Sequence, residues 1–210
     1  MGLSSIHDPK GFSSTPIALS LLLSCTIVAL MALPAPVALA MEGLPSGREG
    51  QGACVVLHGF ESEQEMEEQI LWQCRNWFER DRRHATEGSF SLRVELYPPQ
   101  KYAGITLSTV LDSWKGWRWL RVDLFNPSRR PIALTLRIDD RKDDPPYADR
   151  VNHSFVLRPG MNRFELDLAS VRTSGTKRPL RLESVCHFLF FTAEPREPVI
   201  FFMDNVRLCK

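Results

Sequence analysis

The sequence predicts an all-β fold, a β-sandwich of two antiparallel sheets, on three observations. Beyond residue 53, short segments of alternating apolar and polar residues recur about nine times, a spacing typical of sandwich strands. Clusters of Gly, Pro, Asn and Asp punctuate them. Helical periodicity is confined to one short stretch after Ser62. An N-terminal helix, serving as signal or anchor, is expected in front of this domain.

That leader comes first. Ile17 to Leu33 is almost unbroken apolar sequence, Pro34 and Pro36 break any helix, and Ala38-Leu39-Ala40 fits the small-x-small rule of a signal-peptidase site. Residues 1–40 therefore read as a signal peptide or, since the run is long enough to cross a bilayer, as an uncleaved membrane anchor. Either outcome predicts a secreted or periplasmic domain, and membrane contact only through that segment. Residues 41–52, rich in Gly, Pro and Ser, read as a flexible tether, and 53–210 as the sandwich domain.

Within the domain, Cys54-Val55-Val56-Leu57 opens the first strand. Ser62 and Glu65 form a capping box, and Met66, Ile70, Cys74 and Trp77 share a helical face, so a short helix is expected to run into a strand near 71–78. His84 to Ser89 is a turn, and Phe90–Tyr97 alternates as a strand closed by Pro98-Pro99. Ile105–Leu111 follows. Leu120, Val122 and Leu124 alternate with Trp119, Arg121 and Asp123; after Asn126-Pro127-Ser128, Leu134, Leu136 and Ile138 alternate with Thr135, Arg137 and Asp139. Asp143 to Tyr147 is a loop, Asn152–Leu157 a strand, and Pro159-Gly160-Met161-Asn162 a tight turn into the strand of Phe164, Leu166 and Leu168. Val185–Thr192 is apolar on both faces, as a central, twice-covered strand would be, and Val199–Leu208 is the last strand.

Without the leader about 170 residues remain, enough for one domain with a substantial core. The formal net charge is +1, so no single-sign field exists to attract nucleic acid. Four cysteines lie outside the leader, and an exported domain permits disulfides in three connectivities. Cys54 begins the first strand and Cys209 ends the last, and terminal strands of sandwiches often pair. Cys54–Cys209 is therefore the favoured bridge and leaves Cys74–Cys186; the alternative is that some are buried free thiols.

Read as neighbours, the strands at 119–124 and 134–139 would present one face of Trp119, Arg121, Asp123, Arg137 and Asp139. The adjoining loop adds Asp140, Arg141, Tyr147, Asp149, Arg150 and Asn152. Rings that stack on a pyranose, with Arg and Asp that pair with vicinal hydroxyls, suit a polyhydroxylated ligand. The competing possibility is that Arg and Asp merely pair across the sheet. No nucleophile motif or metalloprotease signature is present, and arginines beside Asp123 and Asp139 would keep both ionised, so catalysis is not expected.

Five pieces occur in order: Val-Val-Leu-His-Gly-Phe-Glu, His-Ala-Thr-Glu-Gly-Ser-Phe-Ser-Leu-Arg-Val, Trp-Lys-Gly-Trp-Arg-Trp-Leu-Arg-Val-Asp-Leu-Phe-Asn-Pro, Leu-Arg-Pro-Gly-Met-Asn and Phe-Met-Asp-Asn-Val-Arg-Leu. Together they resemble the galactose-binding-domain-like jelly rolls, especially carbohydrate-binding modules of the family-eleven type, over residues 53–209. The resemblance implies a jelly-roll sandwich and a non-catalytic carbohydrate-binding role, with a cell-envelope structural or protein-interaction module as the alternative. It also implies a structural calcium ion at Glu61 and Asp204 with carbonyls near Glu87–Ser89, although His58-Gly59 stands where relatives often carry Asp-Asp.

Overall fold

The aliphatic stripes meet as two sheets, face to face. The computed structural model describes residues 52–71 and 76–210, and among them it contains eleven strands and one α-helix. In chain order these are β1 (Cys54–His58), α1 (Glu63–Gln69), β2 (Ile70–Leu71), β3 (Asn76–Asp81), β4 (Ser91–Leu96), β5 (Tyr102–Ser108) and β6 (Trp119–Asn126). They continue as β7 (Ile132–Asp139), β8 (Val151–Leu157), β9 (Gly160–Asp167), β10 (His187–Ala193) and β11 (Val199–Cys209). The first sheet runs β3-β4-β11-β6-β9, with β1 also on β11; the second runs β2-β5-β10-β7-β8. The expected export segment, most of the tether and Cys74 lie outside the described residues.

Leu120, Val122 and Leu124 of β6, Leu92, Val94 and Leu96 of β4, and Leu134, Leu136 and Ile138 of β7 are all buried in one core with Phe188 and Phe190 of β10. β11 would lose its alternation after Asp204, but an irregularity in register there, with Asn205 at φ 51, returns Val206 and Leu208 to the core. β10 lies between β5 and β7, in the central position its apolar sequence predicts. The capping box forms in part. Ser62 accepts from the Glu65 amide at 3.0 Å, while the Glu65 carboxylate accepts from the amides of Gly59 and Phe60. Trp77 does not continue the helix; it lies on β3, half exposed.

One expectation fails, and it matters for function. β6 and β7 are not neighbours: β6 pairs with β11 and β9, β7 with β10 and β8. The chain between them arches from one sheet to the other. A hairpin and an arch bury the same aliphatic residues, so alternation alone does not tell them apart. In the arch, however, the two polar sides face away from each other.

The Cys54–Cys209 bridge is present and joins register partners of β1 and β11. Cys186 is a free thiol whose Sγ lies 3.1 Å from the Arg141 carbonyl and 3.3 Å from that of Asp139; Cys74, its expected partner, lies outside the described residues.

Between the sheets, buried His58 of β1 hydrogen-bonds through Nε2 to the Ser108 carbonyl of β5 at 2.9 Å. Burial lowers its pKa from the ordinary 6.5. The unfolded chain therefore takes up a proton near pH 6.5 that the folded chain refuses, and stability falls as pH drops through that value. The slope approaches about 1.4 kcal/mol per pH unit for this one group. Asp204, whose carboxyl is raised by burial, works in the opposite sense at lower pH. Thermal denaturation from pH 7 to 5 should show the decline, and His58→Gln should flatten it. An unchanged pH slope in that variant would assign the decline elsewhere.

Candidate functional site

The split between sheets divides the predicted site in two. Trp119, Arg121 and Asp123 lie on the first sheet and are engaged there. The Arg118 guanidinium stacks on the Trp119 ring, 4.9 Å from its centroid, and Arg121 Nε donates to Glu165 at 2.6 Å. Asp123 is buried; its Oδ2 accepts from Thr86 Oγ1 at 2.8 Å and Asn205 Nδ2 at 3.2 Å, with Arg207 Nη1 at 3.3 Å. Its carboxylate ties the 84–89 turn to the sheet, and His84 of that turn stacks on Phe125 with centroids 3.5 Å apart. These three residues do not share a face with Arg137 and Asp139.

The same turn tests the implied calcium. Glu61 Oε1 accepts from the amides of Ser89 and Phe90, both at 3.0 Å, and Asp204 Oδ2 from those of Thr86 at 2.5 Å and Glu87 at 3.0 Å. Gly88, at φ +63, leaves the Glu61 carboxylate room where a Cβ would collide with it. A hard cation needs converging oxygens, whereas here the loop turns N–H donors toward both carboxylates. Among the described residues no group of three or more His, Cys, Asp or Glu is gathered to hold a metal. The donor set does not fit calcium; hydrogen bonds hold the turn.

The remaining predicted residues cluster on the outer face of the second sheet. Register sets its rows. Tyr102 of β5 is opposite Ala193 of β10; Gly104 is opposite Phe191, which is opposite Thr135 of β7; Leu189 is opposite Arg137, which is opposite Asn152 of β8; and His187 is opposite Asp139. Tyr102 is 55% exposed, and its ring meets that of Phe191 edge-on, with centroids 5.6 Å apart. Gly104 allows this: an added Cβ would stand 2.6 Å from Phe191 Cβ. One half of the face is thus aromatic. The other half is ionic. Buried Asp139 lies between Arg137, with Nη2 at 2.6 Å, and His187, with Nε2 at 2.7 Å. Burial pushes the Asp139 carboxyl up, but the hydrogen bonds from His187 and Arg137 outweigh it and hold the group below its ordinary value.

The 140–150 loop flanks the ionic half. Arg141 pairs with Asp143 and Asp149 of its own loop, so it braces the loop. Arg178 forks onto buried Asp140 at 2.5 and 2.8 Å and reaches Asp149 at 2.5 Å, clamping the loop from outside. Asn152 Nδ2 donates to Ser174 Oγ at 2.9 Å. Tyr147 is 64% exposed. Sequence reading missed Tyr102, Phe191 and His187. β5 begins three residues before the expected Ile105, and Phe191 belongs to a strand read as covered on both sides. Extending the alternation of β5 back to Tyr102 would have found the first of them.

No family model and no curated protein sequence matches the chain. Solved structures do. A family 11 carbohydrate-binding module from Clostridium thermocellum, in complex with a β-1,3-1,4-mixed-linked tetrasaccharide, superposes with a TM-score of 0.54 at 14% identity, over 74% of this chain and 95% of the module. A solution structure of CtCBM11 gives 0.56 at 13%, over 77% and 97%. An exo-β-agarase gives 0.55 at 11%, over 73% of this chain but only 25% of that enzyme. With its two antiparallel sheets in this arrangement, the chain has the jelly-roll β-sandwich fold of the family 11 carbohydrate-binding modules.

Proposed function

We propose that the protein is a non-catalytic carbohydrate-binding module of an exported protein, and that sugar binds on the outer face of the β2-β5-β10-β7-β8 sheet. One observation carries this reading: the ring pair of exposed Tyr102 and half-buried Phe191 lies on the same sheet face as Arg137, Asp139 and His187. Rings offer a surface to the apolar side of a pyranose, and a guanidinium–carboxylate pair offers donors and acceptors of fixed geometry to its hydroxyls. Arg137, Tyr147 and Arg150 contribute from the sheet and its loop. The likeness to carbohydrate-binding modules supports the reading at the level of fold. An ionised Asp139 held against the Arg137 guanidinium is unsuited to general-acid work, which supports a binding role. The Cys54–Cys209 disulfide and the apolar leader support export.

A glycan array followed by calorimetry on the purified protein tests it. Tyr102→Ala and Arg137→Ala should each weaken binding about tenfold, the scale of a lost stacking or charge-assisted contact. Arg121→Ala, on the other sheet, should leave affinity unchanged. A blank array together with cross-linking to an envelope protein would replace sugar by a protein partner.

A further inference from the structure

The loop after β7 inserts one of the chain's own carboxylates into the ionic half of the face. Asp144 Oδ1 stands 2.6 Å from Arg137 Nη2 and 3.7 Å from Arg150 Nη1, so one oxygen is shared by two guanidinium groups from adjacent strand ends. Among the described residues its carboxylate pairs with these two arginines alone, and the side chain is 85% exposed. Its backbone lies at φ 45, a region that L residues occupy at a cost. Asp139 differs in every respect, being fully buried and fixed between Arg137 and His187.

Arg150, meanwhile, is not saturated. Arg150 Nε is buried and donates to no acceptor among the described residues, and its Nη1 is too far from Asp144 for a hydrogen bond. Two forked donors thus converge on a weakly held carboxylate, with donor capacity left over. A guanidinium fork matches a planar carboxylate better than it matches a hydroxyl.

We propose that the sugar this face takes is a uronate, whose ring carboxylate displaces Asp144 and pairs with Arg137 and Arg150. The inference rests on the carbohydrate reading above and adds the ligand's charge to it. Displacing Asp144 moves a carboxylate that already lies in water, and the incoming carboxylate restores a partner to the two largely buried arginines. A neutral sugar would leave Asp144 in place between the two arginines, whereas a uronate would replace it, so the difference between the two ligands is built into the face. Asp144 is then a tethered competitor, present at a high effective concentration, that a ligand must outcompete.

The test is calorimetric titration of the purified protein with tetragalacturonate, its methyl-esterified form and a neutral β-linked glucotetraose. The free uronate should bind about tenfold tighter than the ester, the scale of one charge-assisted contact. Asp144→Asn should tighten uronate binding several-fold by removing the competitor, and Arg150→Gln should abolish the preference for uronate over ester. Circular dichroism would show that both variants remain folded. Equal affinity for ester and uronate, or binding of the neutral sugar alone, would overturn the inference and leave the carbohydrate reading intact. Binding of none of the three, with a blank glycan array, would overturn both.

Discussion

Replacing Cys54 and Cys209 with serine should cost about 5 kcal/mol of folding stability, the largest effect expected of any change in this domain. The bridge spans 155 residues of sequence and so closes nearly the whole domain into one loop. On the chain-entropy account, a loop of that length stabilises the folded state by about 5 kcal/mol, because the open unfolded chain regains that freedom. The position of the bridge adds to its importance. Among the described residues β1 pairs with the first sheet only along the end of β11, where Cys54 faces Cys209 and Val55 faces Leu208. β1 leads to buried His58 and Phe60, so if its strand pairing loosens, those core contacts loosen with it. For a domain of this size the loss corresponds to a fall in melting temperature of about 10–20 °C. Reductant should reproduce it in the wild type and do nothing further to the double variant. A fall of under about 3 °C would mean that strand pairing alone secures β1.

Trp114→Ala should come next, at about 3–5 kcal/mol, the range for removing a large buried aromatic. Trp114 is fully buried and meets Phe188 edge-on, with centroids 5.4 Å apart. Its amide donates to the Leu182 carbonyl at 2.7 Å, so the residue fastens the loop before β6 to the segment before β10. Two opposing terms separate its variants. The ring volume stabilises, while the indole Nε1–H is buried with no acceptor among the described residues, a desolvation that costs stability. Trp114→Phe keeps most of the volume and removes the orphan donor, so it should cost less than half as much as Trp114→Ala in urea denaturation. Equal losses in the two variants would show that the indole, not the packed volume, holds the end of the sandwich together.

The sequence gives the strands clearly and their partners poorly. Leu120, Val122 and Leu124, and likewise Leu134, Leu136 and Ile138, are read correctly as core-facing from the period-two pattern. The bridge between terminal strands follows from the places of Cys54 and Cys209, since strands at the two ends of a sandwich chain commonly meet. Trp77 lies on a strand, as expected of the stretch near 71–78, and the i, i+4 pattern that links it to Met66 runs by coincidence beyond the end of the helix into that edge strand. The 84–89 turn is legible as a turn, but the direction of its amides is not. That direction decides whether Glu61 and Asp204 receive hydrogen bonds or a cation.

By itself, then, the sequence determined an all-β sandwich, its inward residues and the stretches rich in Arg and Asp, and it favoured the Cys54–Cys209 staple that the structure contains. Only the tertiary structure decided that Asp123 belongs to a buried clamp, that Arg137 and Asp139 share a face with Tyr102, Phe191 and His187, and that Asp144 rests between two arginines. The physical reason is that burial of an aliphatic stripe is non-directional. Many strand orders satisfy it equally, whereas the neighbours of a polar side chain depend on which strand is hydrogen-bonded alongside, a choice made by contacts between residues far apart in the chain.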